Sequence, residues 1–224
     1  MDQRFRQDIA PEFAALTDFV ASLPQRFESG EGEVIYDGRN QLRRFVVDGQ
    51  RLIVKSFRTP NFINRIAYGW LRSSKAQRSF EYAARLRSLG IGSPAPVGWI
   101  TERRGLLFGR SFYACLESAL PYTYKDIMAG TLAPDFERRA LEAIGLTTAR
   151  LHDAGMLHKD YSRGNILFGP TADGNISVEI IDLNRIRFGT VSIEAGLANL
   201  FERLPATPEQ RAIMEAAYRN IRHL

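Results

Sequence analysis

Residues 158–167 read His-Lys-Asp-Tyr-Ser-Arg-Gly-Asn-Ile-Leu, and residues 180–184 read Ile-Ile-Asp-Leu-Asn. Asp160 and Asn165 lie in a polar loop that leads into an apolar strand, and Asp182 follows a second apolar strand. We expect the two strands to form a hairpin that brings these three polar side chains into one cluster. A carboxylate that accepts a proton, placed beside oxygen ligands for a divalent metal, suits phosphoryl transfer. The two segments therefore predict a phosphotransferase.

A simpler interpretation of Asp160 and Asn165 is that they only form a turn, because Asp, Asn, Ser and Gly dominate turns. The flanking His158, the apolar strand after the loop and the spacing to Asp182 favour the functional interpretation. We predict that Asp160 is the catalytic base and that Asn165 and Asp182 bind Mg²⁺. We assign structural roles to His158 and to His152.

Composition places the chain among ordinary globular proteins. Its residues are 45% hydrophobic and 25% charged. A length of 224 residues is enough for one large domain or for two small lobes sharing a cleft. The single cysteine, Cys115, excludes an internal disulfide and fits a reducing compartment. No run approaches the about 18 apolar residues of a membrane-spanning helix, and residues 1–13 lack the apolar core of a signal peptide. We expect a cytoplasmic protein whose membrane association, if any, is peripheral.

The formal net charge is +5, and the excess is concentrated in one region. Between Asp48 and Glu102 there are nine Lys and Arg residues and a single acid, Glu81. The basic stretch 51–87 would attract phosphates or anionic lipid headgroups. A solvated helix face with its counter-charges elsewhere explains it equally well. Without a zinc spacing or a nucleic-acid motif, we expect no nucleic-acid partner.

The N-terminal half shows β patterns around one long helix. Asp-Gly dipeptides at 37–38 and 48–49 are hairpin signals, and Gly90 ends the helical pattern. We predict a small lobe with a five-stranded antiparallel sheet and an extra N-terminal helix. Its predicted elements are a helix at 12–22, strands at 33–36, 42–47 and 51–56, a helix at 62–89, and strands at 97–100 and 111–117.

The C-terminal half is predicted to be mostly helical. Thr207-Pro208-Glu209-Gln210 is a strong start signal for the last helix. We place the lobes at 1–120 and 121–224, with the boundary near 118–122. The predicted elements are helices at 135–154, 192–203 and 208–222 and a hairpin of 166–168 with 177–181.

The order of the motifs resembles the protein-kinase-like fold, whose H-R-D-x-x-x-x-N and D-F-G segments match His158 to Asn165 and Asp182 to Asn184. The resemblance implies an α+β, bilobal fold and an enzyme that uses ATP and Mg²⁺. It also implies that Lys55, at the end of the third predicted strand, contacts nucleotide phosphates, and that Glu81 on the following helix holds Lys55. Two unrelated surface charges are the alternative.

The same resemblance suggests further nucleotide contacts. The turn between the first two predicted strands contains Gly38, Arg39 and Asn40, which could approach a phosphate, although an ordinary hairpin turn explains them as well. Alignment with the fold places Glu117 and Ala119 where the backbone binds adenine.

Within this fold, HKDYSRGNILF and IIDLNRIRF resemble most closely the lipopolysaccharide kinase (Kdo/WaaP) family. GRNQLRRF (38–45) and RSSKAQRSFEYAARLRSLGI (72–91) point the same way. Members of this family phosphorylate sugars of the lipopolysaccharide inner core at the cytoplasmic side. The resemblance implies a sugar or glycolipid acceptor and the inner face of the bacterial inner membrane as the place of action.

The chain departs from the kinase pattern at several positions. Lys159 replaces the Arg of H-R-D, Asp182-Leu183-Asn184 lacks the Phe of D-F-G, and a G-x-G-x-x-G is absent. No Ala-Pro-Glu follows Asp182, which argues against a protein substrate. Arg163 and Arg185 flank the acids and could hold an anionic acceptor or the transferring phosphate, or could form surface salt bridges.

Three functional hypotheses remain open. The first is an active kinase for a lipopolysaccharide core sugar. The second is a small-molecule or protein kinase of the same fold, for example one that acts on an aminoglycoside-like alcohol, which the net basic charge mildly disfavours. The third is a nucleotide-binding pseudokinase, which the altered glycine loop, Lys159 and Asn184 favour and the intact acids disfavour. The oligomeric state is unknown.

Overall fold

In the computed structural model, residues 3–58, 73–104 and 107–222 are described. They divide into two compact units. The first comprises the residues up to Ala84 together with Ala95–Glu117, and the second comprises Arg85–Pro94 together with the residues from Ser118 onward. The assignment of nucleotide binding to one lobe and of catalysis to the other stays a prediction.

The first unit is built on a six-stranded antiparallel sheet. All five predicted strands are present. A further strand at the N-terminus pairs with the strand that was predicted at 97–100. The strand order is β1-β5-β6-β4-β3-β2. The strands are β1 (Gln3–Ile9), β2 (Glu33–Asp37), β3 (Asn40–Val47), β4 (Gln50–Phe57), β5 (Pro96–Arg104) and β6 (Leu107–Leu116).

The predicted N-terminal helix is present as short helical pieces. A 3₁₀ helix at Pro11–Leu16 leads into α1 (Thr17–Ala21) and α2 (Leu23–Glu28). Phe13 has non-helical backbone angles, and Pro24 lies at the start of α2, so the segment is not one continuous helix. These pieces cover one face of the sheet with an apolar core that includes Leu16, Phe19, Val20, Leu23, Phe27, Phe45, Leu52, Val54, Ile100 and Phe112.

Helix α3 (Lys75–Ser88) is the described part of the helix predicted for 62–89, whose first residues lie outside the described chain. Its residues up to Ala84 belong to the first unit. There Ala76 and Phe80 pack against Phe57 and Trp99. Because side chains alternate along a strand, Lys55 shares the face of Phe57 rather than that of Leu52 and Val54.

The second unit is mainly helical, as predicted. Its helices are α4 (Tyr124–Met128), α5 (Pro134–Asp153), α6 (Ile193–Glu202) and α7 (Pro208–Arg222). Helices α5 and α7 pack closely at Gly145, where an added Cβ would clash with the backbone oxygen of Met214. Within the described ranges, no helix is both long and apolar enough to cross a membrane.

Short strands of the second unit carry the predicted hairpin. Strand β9 (Ile166–Pro170) pairs with β10 (Ile176–Ile180) and also with β7 (Tyr122–Thr123). Strand β8 (Met156–His158) pairs with β11 (Ile186–Phe188), which follows a 3₁₀ turn at Leu183–Arg185. The loop between β8 and β9 and the segment between β10 and β11 contain the predicted catalytic residues.

Candidate active site

The loop between β8 and β9 is braced by His158. Its imidazole is fully buried, its Nδ1 accepts a hydrogen bond from the Asp160 backbone N–H at 3.0 Å, and its Nε2 lies 3.1 Å from the Ile181 carbonyl oxygen. Burial lowers the pKa of His158, so the ring is neutral. Since Nδ1 accepts, the proton resides on Nε2 and is donated to Ile181. His158 therefore joins the loop after β8 to the segment after β10, which matches the structural role that we predicted.

Tyr161 anchors the same loop to helix α5. Its ring is 1% exposed, and its hydroxyl lies 2.6 Å from the Thr148 hydroxyl. Thr148 donates to the Ile144 carbonyl at 2.7 Å, so Tyr161 is the donor in this pair. Burial raises the pKa of Tyr161 well above its ordinary value, which keeps this donor protonated.

Asn165 forms hydrogen bonds within the loop and also to Ile181, the residue after β10. Its side-chain Nδ2 donates to the Asp160 carbonyl at 2.9 Å, and its backbone N–H donates to the Ser162 carbonyl at 2.8 Å. Its backbone carbonyl accepts from the Ile181 N–H at 3.0 Å. With Nδ2 turned toward Asp160, Oδ1 is the side-chain atom suited to bind a cation.

Asp182 follows Ile181 directly and is held in an unusual backbone conformation. Its φ of 59° and ψ of 46° are left-handed, a region that Asp tolerates better than most residues. The side-chain amide of Asn184 donates to Asp182 Oδ1. Non-glycine residues in this region cluster at functional sites. Because Ile181 is bonded to both His158 and Asn165, Asp182 is fixed beside the loop, as the hairpin predicted.

The Asp160 carboxylate contacts two arginines. Arg203 Nη1 lies 2.7 Å from Oδ1, and Arg185 Nη1 lies 3.8 Å from Oδ2. Arg185 was one of the two arginines predicted near the acids; the other, Arg163, is exposed on the loop. Arg203 was not predicted, because it lies 43 residues beyond Asp160 and no local pattern marks it.

Lys125 is a second residue that the sequence did not single out. A Cβ placed on Gly164 would lie 3.7 Å from Lys125 Cε and 4.0 Å from its Nζ. The amine therefore lies beside the loop, at the start of helix α4. A capping box formed by Thr123 and Asp126 fixes this end of the helix.

A chain of hydrogen bonds between side chains of helices α7, α5 and α6 ends at the His158 carbonyl, at the start of the loop. Arg222 donates to the Tyr218 hydroxyl at 3.2 Å, and that hydroxyl lies 2.9 Å from His152 Nδ1. His152 Nε2 lies 3.2 Å from Asn199 Oδ1, and Asn199 Nδ2 donates to the His158 carbonyl at 3.1 Å. Burial lowers the pKa of His152 to about 4, so this ring is neutral. His152 is therefore structural, as predicted, and it orients the amide of Asn199.

In the first unit, Gly38 lies in the turn between β2 and β3, against the exposed side chain of Tyr36. A Cβ there would lie within 2.7 Å of the Tyr36 ring and closer to its hydroxyl. The Gly38 N–H donates to the Asn40 carbonyl at 3.2 Å, which forms the β2–β3 turn. A cavity of about 270 Å³ adjoins this turn, lined by Phe27, Asp37, Gly38, Gln41, Ser56, Arg58 and Arg110.

Lys55 and Glu81 lie in the same unit. The Lys55 Nζ lies 5.2 Å from the centroid of the Phe57 ring. Glu81 is exposed on α3, and its Oε1 accepts a hydrogen bond from Gln77 at 2.8 Å. Between these two described residues no ion pair is formed, so their pairing in a nucleotide complex stays a prediction.

Glu117 has a strong structural role at the end of the first unit. Its carboxylate binds Arg44 and Arg51, each at 2.7 Å. Its backbone N–H donates to the Arg51 carbonyl at 2.8 Å, so only its own carbonyl is available to bind an adenine. Ala119, the other predicted adenine contact, is exposed.

The fold and this loop together define a kinase of the protein-kinase-like class. A family model described as the lipopolysaccharide kinase (Kdo/WaaP) family matches residues 38–218. The chain belongs to this family and is a phosphotransferase, as the sequence motifs predicted.

A solved structure supports the fold independently. The structure described as "WaaP in complex with acyl carrier protein" aligns with a TM-score of 0.65 at 18% identity. The alignment covers 96% of this chain and 89% of that one. This confirms the predicted kinase-like bilobal fold. No curated protein sequence matches the chain significantly.

Proposed function

We propose that the protein uses ATP and Mg²⁺ to phosphorylate a hydroxyl group of a lipopolysaccharide inner-core sugar. The observation that supports this proposal is the bracing of one loop by His158 and Asn165, which ties the backbone of Asp160 to Ile181, the residue before Asp182. Family membership supplies the acceptor class. Family membership and the local geometry of the loop thus support the same chemistry.

The oxygen donors of the second unit fit a magnesium ion. Asn165 offers Oδ1 and Asp182 offers its carboxylate, both of which are hard ligands. Among the described residues, no group of three or more His, Cys, Asp and Glu could hold a metal. Two protein ligands completed by phosphate oxygens and water are the usual arrangement for Mg²⁺ in kinases. The ion would neutralise charge on the transferring phosphate.

Asp160 would accept the proton of the acceptor hydroxyl. The hydroxyl oxygen then forms its bond to the γ-phosphorus while the bond between that phosphorus and the β–γ bridging oxygen breaks and ADP leaves. The bracing by His158 and Asn165 fixes the backbone of Asp160 on both sides. Such positioning supplies much of the catalysis in phosphoryl transfer.

Residues of the first unit would bind the nucleotide. Lys55 would contact the phosphates, and Glu81 would pair with it in the complex. The turn with Gly38, Arg39 and Asn40 would approach the phosphates through its backbone and side chains. Glu117, at the end of the first unit, and Ala119, two residues later, would contact adenine.

A glycolipid acceptor would place the enzyme at the inner face of the bacterial inner membrane. The basic stretch 51–87 supports contact with anionic headgroups, and part of it lies outside the described residues. Sedimentation with vesicles of phosphatidylglycerol and phosphatidylcholine tests this contact. Binding only to the anionic vesicles, lost at high salt, would support it, and equal binding to both would contradict it.

The function is tested by following the γ-phosphate of labelled ATP into lipopolysaccharide core, protein, small alcohols and water. We expect label in the core and its loss in Asp160→Ala by at least about 100-fold. Asp135→Asn, an exposed acid on α5, is the matched control. Label in protein or in a small alcohol instead would indicate another acceptor. Nucleotide binding without any transfer would indicate a pseudokinase.

A further inference from the structure

The carboxylate of Asp160 lies between two guanidinium groups that are themselves open to solvent. Arg203 is hydrogen-bonded to Oδ1 at 2.7 Å, whereas Arg185 lies 3.8 Å from Oδ2, which is beyond hydrogen-bonding distance. The side chains of both arginines are 48% exposed, and that of Asp160 is 26% exposed. Solvent, and therefore a ligand, can reach both guanidinium groups.

The position of Arg203 is fixed by the backbone on either side of it. It directly follows helix α6, and Asn199, one turn earlier, holds that helix to the His158 carbonyl at 3.1 Å. On the other side Leu204 is 1% exposed, and the Pro205 carbonyl accepts a hydrogen bond from the Tyr124 hydroxyl at 3.1 Å. Arg203 is thus held near the loop by more than its own ion pair.

In this arrangement the two oxygens of the Asp160 carboxylate have different roles. A base must offer one oxygen within about 3 Å of the acceptor hydroxyl. Oδ1 already accepts from Arg203, so Oδ2 is the oxygen with room for the hydroxyl. An acceptor bound there places its neighbouring substituents close to Arg203 and Arg185. Each guanidinium carries five N–H donors, more than the single contact to Asp160 uses.

A neutral acceptor would gain little from these two cations, whereas an anionic substituent would bind them by charge-assisted hydrogen bonds. We propose that Arg203, assisted by Arg185, is a specificity-determining residue that selects acceptors with a carboxylate or phosphate group beside the hydroxyl to be phosphorylated. This inference rests on the proposed function and defines its acceptor more narrowly.

The test uses deacylated lipopolysaccharide core oligosaccharide in three forms. One is untreated, one has its carboxylates converted to neutral amides with carbodiimide and methylamine, and one has its phosphates removed by alkaline phosphatase. Transfer from labelled ATP gives kcat and KM for each form with the wild-type protein, Arg203→Gln, Arg203→Lys and Arg187→Gln. Arg187 is exposed on β11, close in sequence to Arg185, and serves as the control.

With the wild-type protein, we expect a KM about 10- to 100-fold higher for whichever treated form has lost the recognised anion. The form affected distinguishes a carboxylate from a phosphate. Arg203→Gln should raise the KM for the untreated acceptor by a similar factor and should no longer distinguish the forms. Arg203→Lys should keep part of the discrimination, and Arg187→Gln should behave as wild type.

The inference is overturned if Arg203→Gln still distinguishes treated from untreated acceptor as the wild type does, or if the wild type accepts all three forms equally. In both cases the proposed function stands. If the wild-type protein binds Mg-ATP but phosphorylates none of the three forms, the proposed acceptor class fails and this inference fails with it.

Discussion

The side-chain amide of Asn165 donates a hydrogen bond to the backbone carbonyl of Asp160 at 2.9 Å. One residue thus joins the two ends of the loop between β8 and β9, and its Oδ1 is turned away from that bond. The loop backbone and the proposed metal ligand are therefore set by the same side chain.

Substitution of Asn165 separates these two roles. Asn165→Asp keeps an oxygen ligand for the metal but replaces the amide donor with a second acceptor that faces the Asp160 carbonyl oxygen. Because that carbonyl then lacks its donor, the free energy of unfolding should fall by about 1–3 kcal/mol. We expect a lower kcat, by about 10- to 100-fold, with little change in the Mg²⁺ requirement. Asn165→Ala should lower kcat and also raise the Mg²⁺ concentration needed for half-maximal activity. Magnesium titrations of both variants check this, and identical titration curves for the two would contradict it.

Asp182→Asn should remove metal-dependent nucleotide binding without harming the fold. Asn tolerates the left-handed backbone at least as well as Asp, so the unfolding free energy should stay within about 0.5 kcal/mol of wild type. An amide is a weaker ligand for Mg²⁺ than a carboxylate, and the affinity for Mg-ATP should fall at least about 10-fold. Calorimetric titration with and without Mg²⁺ measures this. Unchanged affinity for Mg-ATP would show that Asp182 is not a metal ligand.

The stability of the protein should depend on pH through His152. The pKa of this buried ring is lowered to about 4 from an ordinary value of 6.5, so the unfolded chain binds the proton first as the pH falls. The unfolding free energy should therefore fall between about pH 6.5 and pH 4, by about 3 kcal/mol in total from this residue. The groups that face it are Tyr218 and Arg222, and the Arg222 charge lowers its pKa in the same direction.

Denaturant unfolding at several pH values measures this dependence. His152→Gln should be less stable at neutral pH yet show a flatter decline toward pH 4. His158, whose pKa is lowered in the same direction by burial, would contribute to the decline that remains. An equally steep decline in His152→Gln would contradict the assignment.

Gly196→Ala should destabilise the protein, although Ala is ordinarily the better helix former by about 1 kcal/mol. A Cβ at this position of α6 would meet the Tyr218 hydroxyl and would lie 2.7 Å from His152 Nδ1. We expect a loss of about 1–3 kcal/mol, measured by urea unfolding. Adding Tyr218→Phe removes the hydroxyl and should recover part of the loss. A double variant less stable than the sum of the two single changes would argue against steric crowding.

The loop that contains the candidate catalytic residues, and the hairpin after it, could be predicted because their signals are local. Asp160, Asn165 and Asp182 lie at short separations around two apolar strands, and the hairpin brings them together by simple pairing. The first three of the five predicted strands were marked by short β runs and Asp-Gly turns, and the other two by strand-like runs. Strand β1 was missed because its sequence, QRFRQDI, is mostly polar, and as an edge strand it is defined by backbone pairing to β5 rather than by a buried face.

The contacts that sequence reasoning missed are all long-range. Arg203 reaches Asp160, and Asn199 reaches His158, only because helix α6 packs beside the loop. Neither residue type is unusual in a helix or at its end, so no local pattern distinguishes it. Likewise, the expected pair of Lys55 with Glu81 depends on the side-chain arrangement around α3, which sequence spacing does not determine.

The chain of hydrogen bonds from Arg222 through Tyr218, His152 and Asn199 to the His158 carbonyl has only one consistent direction of donation. Each member is a donor to the next, so replacing one residue alone leaves its neighbour with the wrong partner. We therefore expect these positions to change together in evolution. Homologues that lack an amide at the position of Asn199 are expected to have changed His152 and Tyr218 as well, and an alignment of family members can be checked for that covariation.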